Sequence, residues 1–244
     1  MYKIKKKMAR ESKRLQALIQ RGRDRAADSD PDGFLVLRKI VEPTTEVVAE
    51  IRKIVARRGI SIFNGSGAAA KKKRLQTPPI DTMRVSPALT AFVDSIEYVA
   101  IQHYPRLRFS HAAGLLSRPG CEKQPVHCDY DVEDLAPLDD RDTPRGMLVA
   151  LEDDTRLVVY PGSHRLWRSV NGEGPVTGTW RHTLQLDAGD VCFFRGDLLH
   201  AGASYTKQNV RMHAYLDSEL APRMPGRTWL LSRKRPGICE WLRK

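Results

Sequence analysis

Residues 189–202, which read GDVCFFRGDLLHAG, decide how the fold of this chain is interpreted. The apolar run within them lies between two turns that contain Gly and Asp, which predicts a buried strand and then a second strand that begins near His200. Similar short apolar or alternating segments occur at 147–151, 157–159, 183–186 and 210–216. Such spacing is typical of an all-β core. The sequence therefore predicts a sheet protein in which His200 lies at the start of a strand.

A second stretch, QPVHCD at 124–129, adds two side chains with metal-binding chemistry, His127 and Asp129. Together with His200 they supply two imidazoles and one carboxylate. This combination is the facial triad that binds non-haem Fe(II) and leaves other coordination positions open. The His-X-Asp spacing favours Asp129 over Asp131 as the carboxylate ligand. We therefore predict that His127, Asp129 and His200 bind a metal ion.

Arg211 lies eleven residues after His200, inside a segment that reads as a strand. Its guanidinium can bind a carboxylate through two parallel hydrogen bonds. A 2-oxoglutarate co-substrate requires such a partner. Gln124 lies three residues before His127 and is predicted to hydrogen-bond the co-substrate or another metal-bound ligand. Arg211 and Gln124 are thus the predicted co-substrate-binding residues.

The triad and Arg211 resemble the site of the phytanoyl-CoA dioxygenase-like branch of the Fe(II)/2-oxoglutarate oxygenases. Two further stretches, DGFLVL at 32–37 and YPGSHR at 160–165, are similar to that branch. The resemblance covers roughly residues 30–220. It implies a mainly β protein with flanking α-helices, built on a double-stranded β-helix, which is a cupin-like jelly-roll whose two sheets enclose the metal.

The resemblance also implies an activity. In such an enzyme 2-oxoglutarate binds Fe(II) through its 2-oxo group and the adjacent carboxylate, while Arg211 neutralises the distal carboxylate. Succinate and carbon dioxide are released as the substrate is hydroxylated. His127, Asp129 and His200 would then be catalytic residues as well as metal ligands. The expected substrate is a small molecule or an amino-acid side chain.

The length of 244 residues is sufficient for one large β-domain with helical additions. We expect a basic helical extension at 1–29, the oxygenase domain at 30–220, and a basic tail at 221–244 packed on that domain. Four cysteines without Cys-X-X-Cys spacing are typical of reduced thiols. No apolar run approaches the roughly 18 residues of a membrane span, and an apolar signal core is not evident. These features predict an intracellular protein, cytoplasmic or nuclear.

The net charge of +12 is concentrated in three segments. Residues 1–25 hold ten Lys/Arg against two Asp/Glu, residues 71–74 read KKKR, and residues 223–244 hold seven basic residues against one acidic residue. Such segments bind nucleic acid, anionic lipid or acidic partners, and KKKR is compatible with nuclear localisation. Solvated surface charge explains them equally well. By contrast, residues 129–142 hold seven carboxylates and one Arg, which disfavours a phosphate-rich substrate at the mouth of the site.

Outside the strands, helical spacing of apolar residues predicts helices over 47–55 and 89–100, the second capped by Ser86. Residues 64–79 predict a mobile surface loop, with an active-site lid as the alternative. His164 is expected to be structural or at the substrate rim. Surface or core roles are expected for the other histidines, which are His103, His111, His182 and His213.

Two alternatives to a small-molecule or side-chain oxygenase remain open from the sequence. One is a nucleic-acid-modifying 2-oxoglutarate oxygenase that uses its basic tails to bind phosphates. The other is a non-catalytic jelly-roll protein with a structural metal. Arg211 argues against the latter, because a structural metal does not require a partner for a distal carboxylate. The sequence does not predict the oligomeric state.

Overall fold

The computed structural model describes residues 31–62, 73–167, 181–221 and 223, together with the backbone of 229–230. The predicted helical extension at 1–29 and most of the predicted tail at 221–244 lie outside these residues. No helix in the described part of the chain is long and apolar enough to cross a membrane.

Most of the described chain forms short strands. In chain order these are β1 (Phe34–Leu37), β2 (Ile60–Ser61), β3 (Arg74–Gln76), β4 (Arg108–Ser117), β5 (His127–Cys128), β6 (Arg145–Ala150), β7 (Thr155–Val159), β8 (His182–Leu186), β9 (Val191–Arg195), β10 (His200–Gly202), β11 (Asn209–Asp217) and β12 (Trp229–Leu230). The α-helices of the described residues are α1 (Thr45–Arg58), α2 (Pro87–His103) and the short α3 (Val132–Leu135).

The strands form two antiparallel sheets. The larger sheet has the order β1-β9-β6-β11-β4-β3-β2, and the smaller has the order β12-β5-β10-β7-β8. From β6 to β11 the chain passes from the larger sheet to the smaller and back twice, which is the winding of a double-stranded β-helix. The predicted fold class is therefore confirmed.

Apolar side chains from both sheets meet between them. Leu148 and Phe194 from the larger sheet share one buried cluster with Leu157 and Leu186 from the smaller sheet. Because alternate residues of a strand face opposite sides of a sheet, each strand of the larger sheet can also bury its other face. That second face packs against α1 and α2.

Both predicted helices form, and each begins where a hydroxyl can cap it. Thr44 Oγ1 accepts a hydrogen bond from the Val47 amide at 3.3 Å, and Ser86 Oγ accepts one from the Leu89 amide at 3.2 Å. Such caps satisfy amide groups that the first helical turn leaves without partners. The apolar faces of both helices are buried against the larger sheet. This packing supports the sheet on the side away from the site.

The predicted loop at 64–79 is wrong over part of its length. Residues 63–72 lie outside the described residues, but β3 pairs with β2 and β4. Leu75 packs into the helix-covered core, whereas Arg74 is only 4% exposed. Successive residues of a strand face opposite sides, so Arg74 projects toward the space between the sheets. The last residue of the KKKR run is therefore not part of a basic surface.

Candidate active site

Strands β5 and β10 place the two predicted histidine ligands side by side. They pair antiparallel with His127 opposite His200, and opposed residues project from the same face of a sheet. The ring centroids lie 4.4 Å apart. Asp129 follows β5 directly, and its amide donates to the carbonyl of Gly196 at 3.1 Å. Since residues two apart in extended chain face the same way, its carboxylate joins the two imidazoles.

The donor atoms of these three side chains converge in what we call the metal cluster: His127, Asp129 and His200. Asp129 Oδ1 lies 3.9 Å from His127 Nε2 and 3.6 Å from His200 Nε2. One ligand atom of each residue lies within 4.8 Å of the others, and all three side chains are buried. The predicted metal residues are thus brought together. Two nitrogens and one carboxylate oxygen in this arrangement fit non-haem Fe(II).

The backbone fixes how each imidazole presents itself to the cluster. His127 Nδ1 lies 2.8 Å from the Pro125 carbonyl oxygen, and His200 Nδ1 lies 2.9 Å from the Leu198 carbonyl oxygen. A carbonyl oxygen only accepts hydrogen bonds, so in the neutral ring Nδ1 carries the hydrogen. Nε2 of each ring therefore presents its lone pair to the cluster, as a metal ligand must.

Burial and neighbouring groups set the protonation of the cluster. Burial, followed by the proximity of His200, lowers the pKa of His127 to about 3. Burial raises the pKa of Asp129, but His200 and His213 outweigh this effect and hold that pKa well below its ordinary value. At neutral pH the cluster therefore offers a neutral imidazole at 127 and a carboxylate at 129, the forms that bind a metal ion.

His213 lies at the cluster, although a surface or core role was expected for it. Its Nε2 lies 3.6 Å from Asp129 Oδ2. Gly146 leaves room on the same side, because a Cβ there would lie 3.0 Å from Asp129 Oδ2 and would collide with the Phe194 ring. No spacing in the sequence relates His213 to the triad. Only the register of β11 beside β6 reveals the contact.

Arg211 is buried at a second end of the site. Only 3% of the residue is exposed, and its Nη1 donates to Ser117 Oγ at 3.0 Å. The guanidinium carbon lies 5.3 Å from the centroid of the Tyr205 ring, on its face. An arginine held in this way by a hydroxyl and an aromatic ring keeps a fixed direction.

Arg74 approaches the same hydroxyl and was missed by sequence reasoning. Its Nη1 lies 3.2 Å from Ser117 Oγ, and its Nη2 donates to the carbonyls of Ala203 at 2.7 Å and Glu122 at 2.9 Å. Burial, followed by the proximity of Arg211, lowers the pKa of Arg74 to about 10. We call Arg74 and Arg211 the arginine pair. No pattern in KKKR distinguishes its last residue, which is buried only because β3 pairs with β4.

The arginine pair has no protein counter-charge among the residues that the structure describes. Within that part of the chain, ion pairs form between other arginines and carboxylates, but none includes Arg74 or Arg211. Buried cations are costly unless an anion compensates them. The pair is therefore complementary to a carboxylate.

The arginine pair and the metal cluster are neighbours along two strands. On β10, Gly202 follows His200 by two residues, and a Cβ at Gly202 would lie 2.8 Å from Arg74 Nη1. On β11, Arg211 precedes His213 by two residues. Two residues of extended chain span about 7 Å. This separation suits a short ligand with a metal-binding group at one end and a carboxylate at the other.

The structure gives Gln124 a contact with the backbone. Its Oε1 accepts from the Gly202 amide at 2.6 Å, so its side chain binds β10 beside the arginine pair. The predicted contact of Gln124 with the co-substrate stays a prediction. Asp131, considered as an alternative ligand, caps α3 by accepting from the Glu133 amide at 2.9 Å. His164 is buried next to Gly33 and does not belong to the metal cluster.

Part of the acidic stretch at 129–142 makes structural contacts. Asp140 pairs with Arg145 and Arg195, and Asp142 pairs with Arg106. These ion pairs neutralise part of the charge that the sequence placed at the mouth of the site. The stretch therefore gives weaker grounds against a phosphate-rich substrate than its composition indicated.

Comparison with known proteins gives one family match. The profile of the phytanoyl-CoA dioxygenase (PhyH) family matches residues 29–212. None of the curated proteins matches the sequence.

Solved structures with a similar fold include three enzymes of known class. The epimerase SnoN, in complex with Fe3+, alpha-ketoglutarate (2-oxoglutarate) and nogalamycin RO, is 21% identical, with 92% of this chain and 98% of that chain covered and a TM-score of 0.59. The alpha-ketoglutarate-dependent carbocyclase SnoK from nogalamycin biosynthesis is 18% identical, with 88% of each chain covered and a TM-score of 0.60. A Pseudomonas putida prolyl-4-hydroxylase is 12% identical, with 84% and 99% covered and a TM-score of 0.56.

Proposed function

Because the chain belongs to the phytanoyl-CoA dioxygenase family and is thus a 2-oxoglutarate-dependent non-haem iron dioxygenase, we propose that it hydroxylates a small molecule or an amino-acid side chain. Succinate and carbon dioxide are the co-products. The observation that carries this proposal is the arginine pair, which lies beside the metal cluster without a protein counter-charge in the described residues. A purely structural metal site has no use for buried cations at this distance.

His127, Asp129 and His200 would hold the iron, which would supply oxygen activation. Three protein ligands would leave coordination positions open for the co-substrate and oxygen. The neutral imidazole at 127 and the ionised Asp129 keep the donor set ready for metal at neutral pH. The burial of all three side chains excludes water from their side of the site.

Arg211 and Ser117 bind the distal carboxylate of 2-oxoglutarate. Ser117 Oγ accepts from both guanidinium groups, so both of its lone pairs are engaged and its hydrogen is available to donate to a carboxylate oxygen. Arg74 adds positive charge behind this contact. The charge of the arginine pair thereby selects a dicarboxylate over a 2-oxo acid that ends in a methyl group.

The substrate class is supported by chemistry of two kinds in proteins of similar fold. SnoN was crystallised with nogalamycin RO, and the Pseudomonas putida enzyme is named for prolyl side chains. The ion pairs of Asp140 and Asp142 neutralise only part of the negative charge of residues 129–142, which still disfavours a phosphate-rich substrate. A small organic molecule or an amino-acid side chain is therefore the first candidate.

A nucleic-acid substrate rests on the charge of residues 1–25, 71–73 and 223–244. Arg74, the last residue of KKKR, is buried and does not contribute to a phosphate-binding surface.

We also propose that 30–220 is the catalytic domain between two basic flanks, and that the protein is intracellular. Among the described residues, Cys121, Cys128 and Cys192 are free thiols, which supports a reducing compartment.

Anaerobic titration of the purified protein with Fe(II) and 2-oxoglutarate tests the proposed function. We expect the weak visible charge-transfer band of the chelate in the wild type, no band in His200→Ala, and a band that requires much more 2-oxoglutarate in Arg211→Ala. Lys73→Ala removes a neighbouring cation whose Nζ donates to the Gly120 carbonyl, and it is expected to behave as the wild type. A wild-type protein with verified iron loading that gives no band in the anaerobic titration and no succinate when oxygen is then admitted would overturn the proposal.

A further inference from the structure

We propose that His213 is a positioning residue that donates its Nε2–H to Oδ2 of Asp129 and so keeps this carboxylate on the iron through Oδ1 alone. The inference rests on the proposed function, because it concerns how the iron is held. It assigns a task to a side chain that lies beside the metal cluster but outside the three ligands.

The two oxygens of Asp129 face different partners. Oδ1 lies 3.6 Å from His200 Nε2 and 3.9 Å from His127 Nε2, so it is the oxygen that shares a metal ion with the imidazoles. Oδ2 lies 3.6 Å from His213 Nε2. The carboxylate is therefore already oriented with one oxygen toward the metal and the other toward His213.

Oδ2 needs a donor, and His213 is within reach. The atom is buried and makes no hydrogen bond to the residues that the structure describes. A buried carboxylate oxygen without a partner is costly, and metal-bound carboxylates are usually hydrogen-bonded in turn. The gap of 3.6 Å exceeds hydrogen-bond range by only a few tenths of an ångström, which a small rotation of the imidazole closes.

The imidazole of His213 is held in direction by aromatic neighbours. It meets the Tyr215 ring edge-on, with centroids 4.6 Å apart and planes at 73°, and the Phe194 ring lies 6.0 Å away. Gly146 provides the remaining space, since a side chain there would press on Phe194 and on Oδ2. These contacts keep the ring pointed at Asp129.

One-oxygen binding matters for the proposed reaction. An iron ion held by three protein ligands would keep further positions open for 2-oxoglutarate and oxygen. If Asp129 bound through both oxygens, it would take one of these positions. A hydrogen bond from His213 to Oδ2 opposes this change, because the donor and the metal compete for the same oxygen.

The test replaces His213 and measures metal binding without turnover. His213→Leu removes the donor at similar size, and His213→Gln places an amide nitrogen at nearly the same reach. His182→Leu, at an exposed position of β8, is the matched control. Co(II) serves as the probe, with affinity measured by competition with a chelator, coordination by the visible absorption of the bound ion, and folding by thermal unfolding of the metal-free proteins.

We expect His213→Leu to bind Co(II) about 10–100-fold more weakly, as is common when the hydrogen-bond partner of a ligand is lost. Its absorption should shift to that of a higher coordination number, whereas His213→Gln and His182→Leu should match the wild type. An unchanged affinity and spectrum in His213→Leu would overturn the inference. Equal losses in folded Leu and Gln variants would also overturn it, since the imidazole would then be a ligand or a packing element. A wild type that binds no Co(II) would instead count against the proposed function.

Discussion

The metal cluster and the arginine pair lie on neighbouring parts of the same site but are encoded differently. Two members of the metal cluster are two residues apart in the sequence, and the third begins a strand that pairs with theirs. The arginine pair joins β3 to β11, two strands that do not pair with each other but lie on either side of β4. A local motif and one strand pairing therefore define one end of the site, whereas the arrangement of three strands of the larger sheet defines the other.

The two ends also differ in how their charge is balanced. Asp129 gives the metal cluster a negative charge that suits a cation, while Arg74 and Arg211 repel each other, and this repulsion contributes to the lowered pKa of Arg74. Each end is thus stabilised by a ligand of opposite charge. Iron would supply the positive charge at the metal cluster, and a ligand that binds this iron and carries a distal carboxylate would supply the negative charge at the arginine pair.

The largest expected effect separates the ends completely. His200→Ala removes one of three metal ligands and should abolish measurable Fe(II) binding in an anaerobic titration, while the arginine pair stays intact. Binding of 2-oxoglutarate should be lost with the metal, because chelation supplies the other half of its contacts. Retention of stoichiometric iron by a folded His200→Ala protein would contradict the assignment of the metal cluster.

Acid should destabilise the metal-free protein through the metal cluster. The pKa of His127 is lowered to about 3 from its ordinary value near 6.5. Between these two pH values the His127 imidazole is therefore protonated in the unfolded chain but neutral in the folded protein. The free energy of unfolding should therefore decrease as the pH is lowered, by on the order of 2–3 kcal/mol between pH 6.5 and pH 4.5. The lowered pKa of Asp129 acts in the same direction at lower pH.

Urea unfolding of the metal-free wild type and of His127→Gln measures this loss. The variant should lose less stability over the same pH interval, since glutamine does not titrate. An identical pH dependence in both proteins would show that groups outside the metal cluster dominate acid unfolding.

Substitution of the arginine pair should affect the co-substrate and spare the metal. We expect Arg211→Met to weaken 2-oxoglutarate binding by at least about 30-fold, the loss of a buried charged partner. Arg74→Met should weaken 2-oxoglutarate binding less, because Arg74 Nη2 already donates hydrogen bonds to the carbonyls of Ala203 and Glu122. Binding of 2-oxobutyrate, which lacks the distal carboxylate, distinguishes recognition from general damage.

That comparison has a clear contrary outcome. If Arg211→Met weakens 2-oxoglutarate and 2-oxobutyrate to the same degree, the arginine pair maintains the fold of the site and does not recognise the distal carboxylate. Fe(II) affinity, measured in the same proteins, should equal that of the wild type.

The smallest expected effect concerns the hydroxyl that the arginine pair shares. Ser117→Ala removes one hydrogen bond to a charged ligand and should weaken 2-oxoglutarate binding by about 10-fold, from roughly 1.5 kcal/mol. Ser110→Ala, at the other end of β4, removes a buried hydroxyl that bonds Asp217 and provides a control for loss of a serine from this strand. No difference between the two variants in calorimetric titration would remove Ser117 from the co-substrate site.

The sequence alone predicted the convergence of His127, Asp129 and His200, the fold class and both long helices, whereas the role of Arg211 stays a prediction. The helices and the His-X-Asp pair depend on spacing within short segments: a periodic apolar face, a cap at the right position, and a ligand two residues from the next. Strand bounds also agree closely, as in the predicted segment 210–216 and the observed β11 (Asn209–Asp217). The family match confirms the predicted enzyme class and cofactors.

Only the tertiary structure decided the places of Arg74 and His213. Both depend on sheet register, which joins residues far apart in the chain: β3 beside β4 buries Arg74, and β11 beside β6 brings His213 to the carboxylate of Asp129. A lysine-rich run reads as surface because most such runs are solvated, and a lone histidine carries no periodic signal. Pairing between distant strands is set by the packing of the whole barrel, so no local pattern in the sequence reports it.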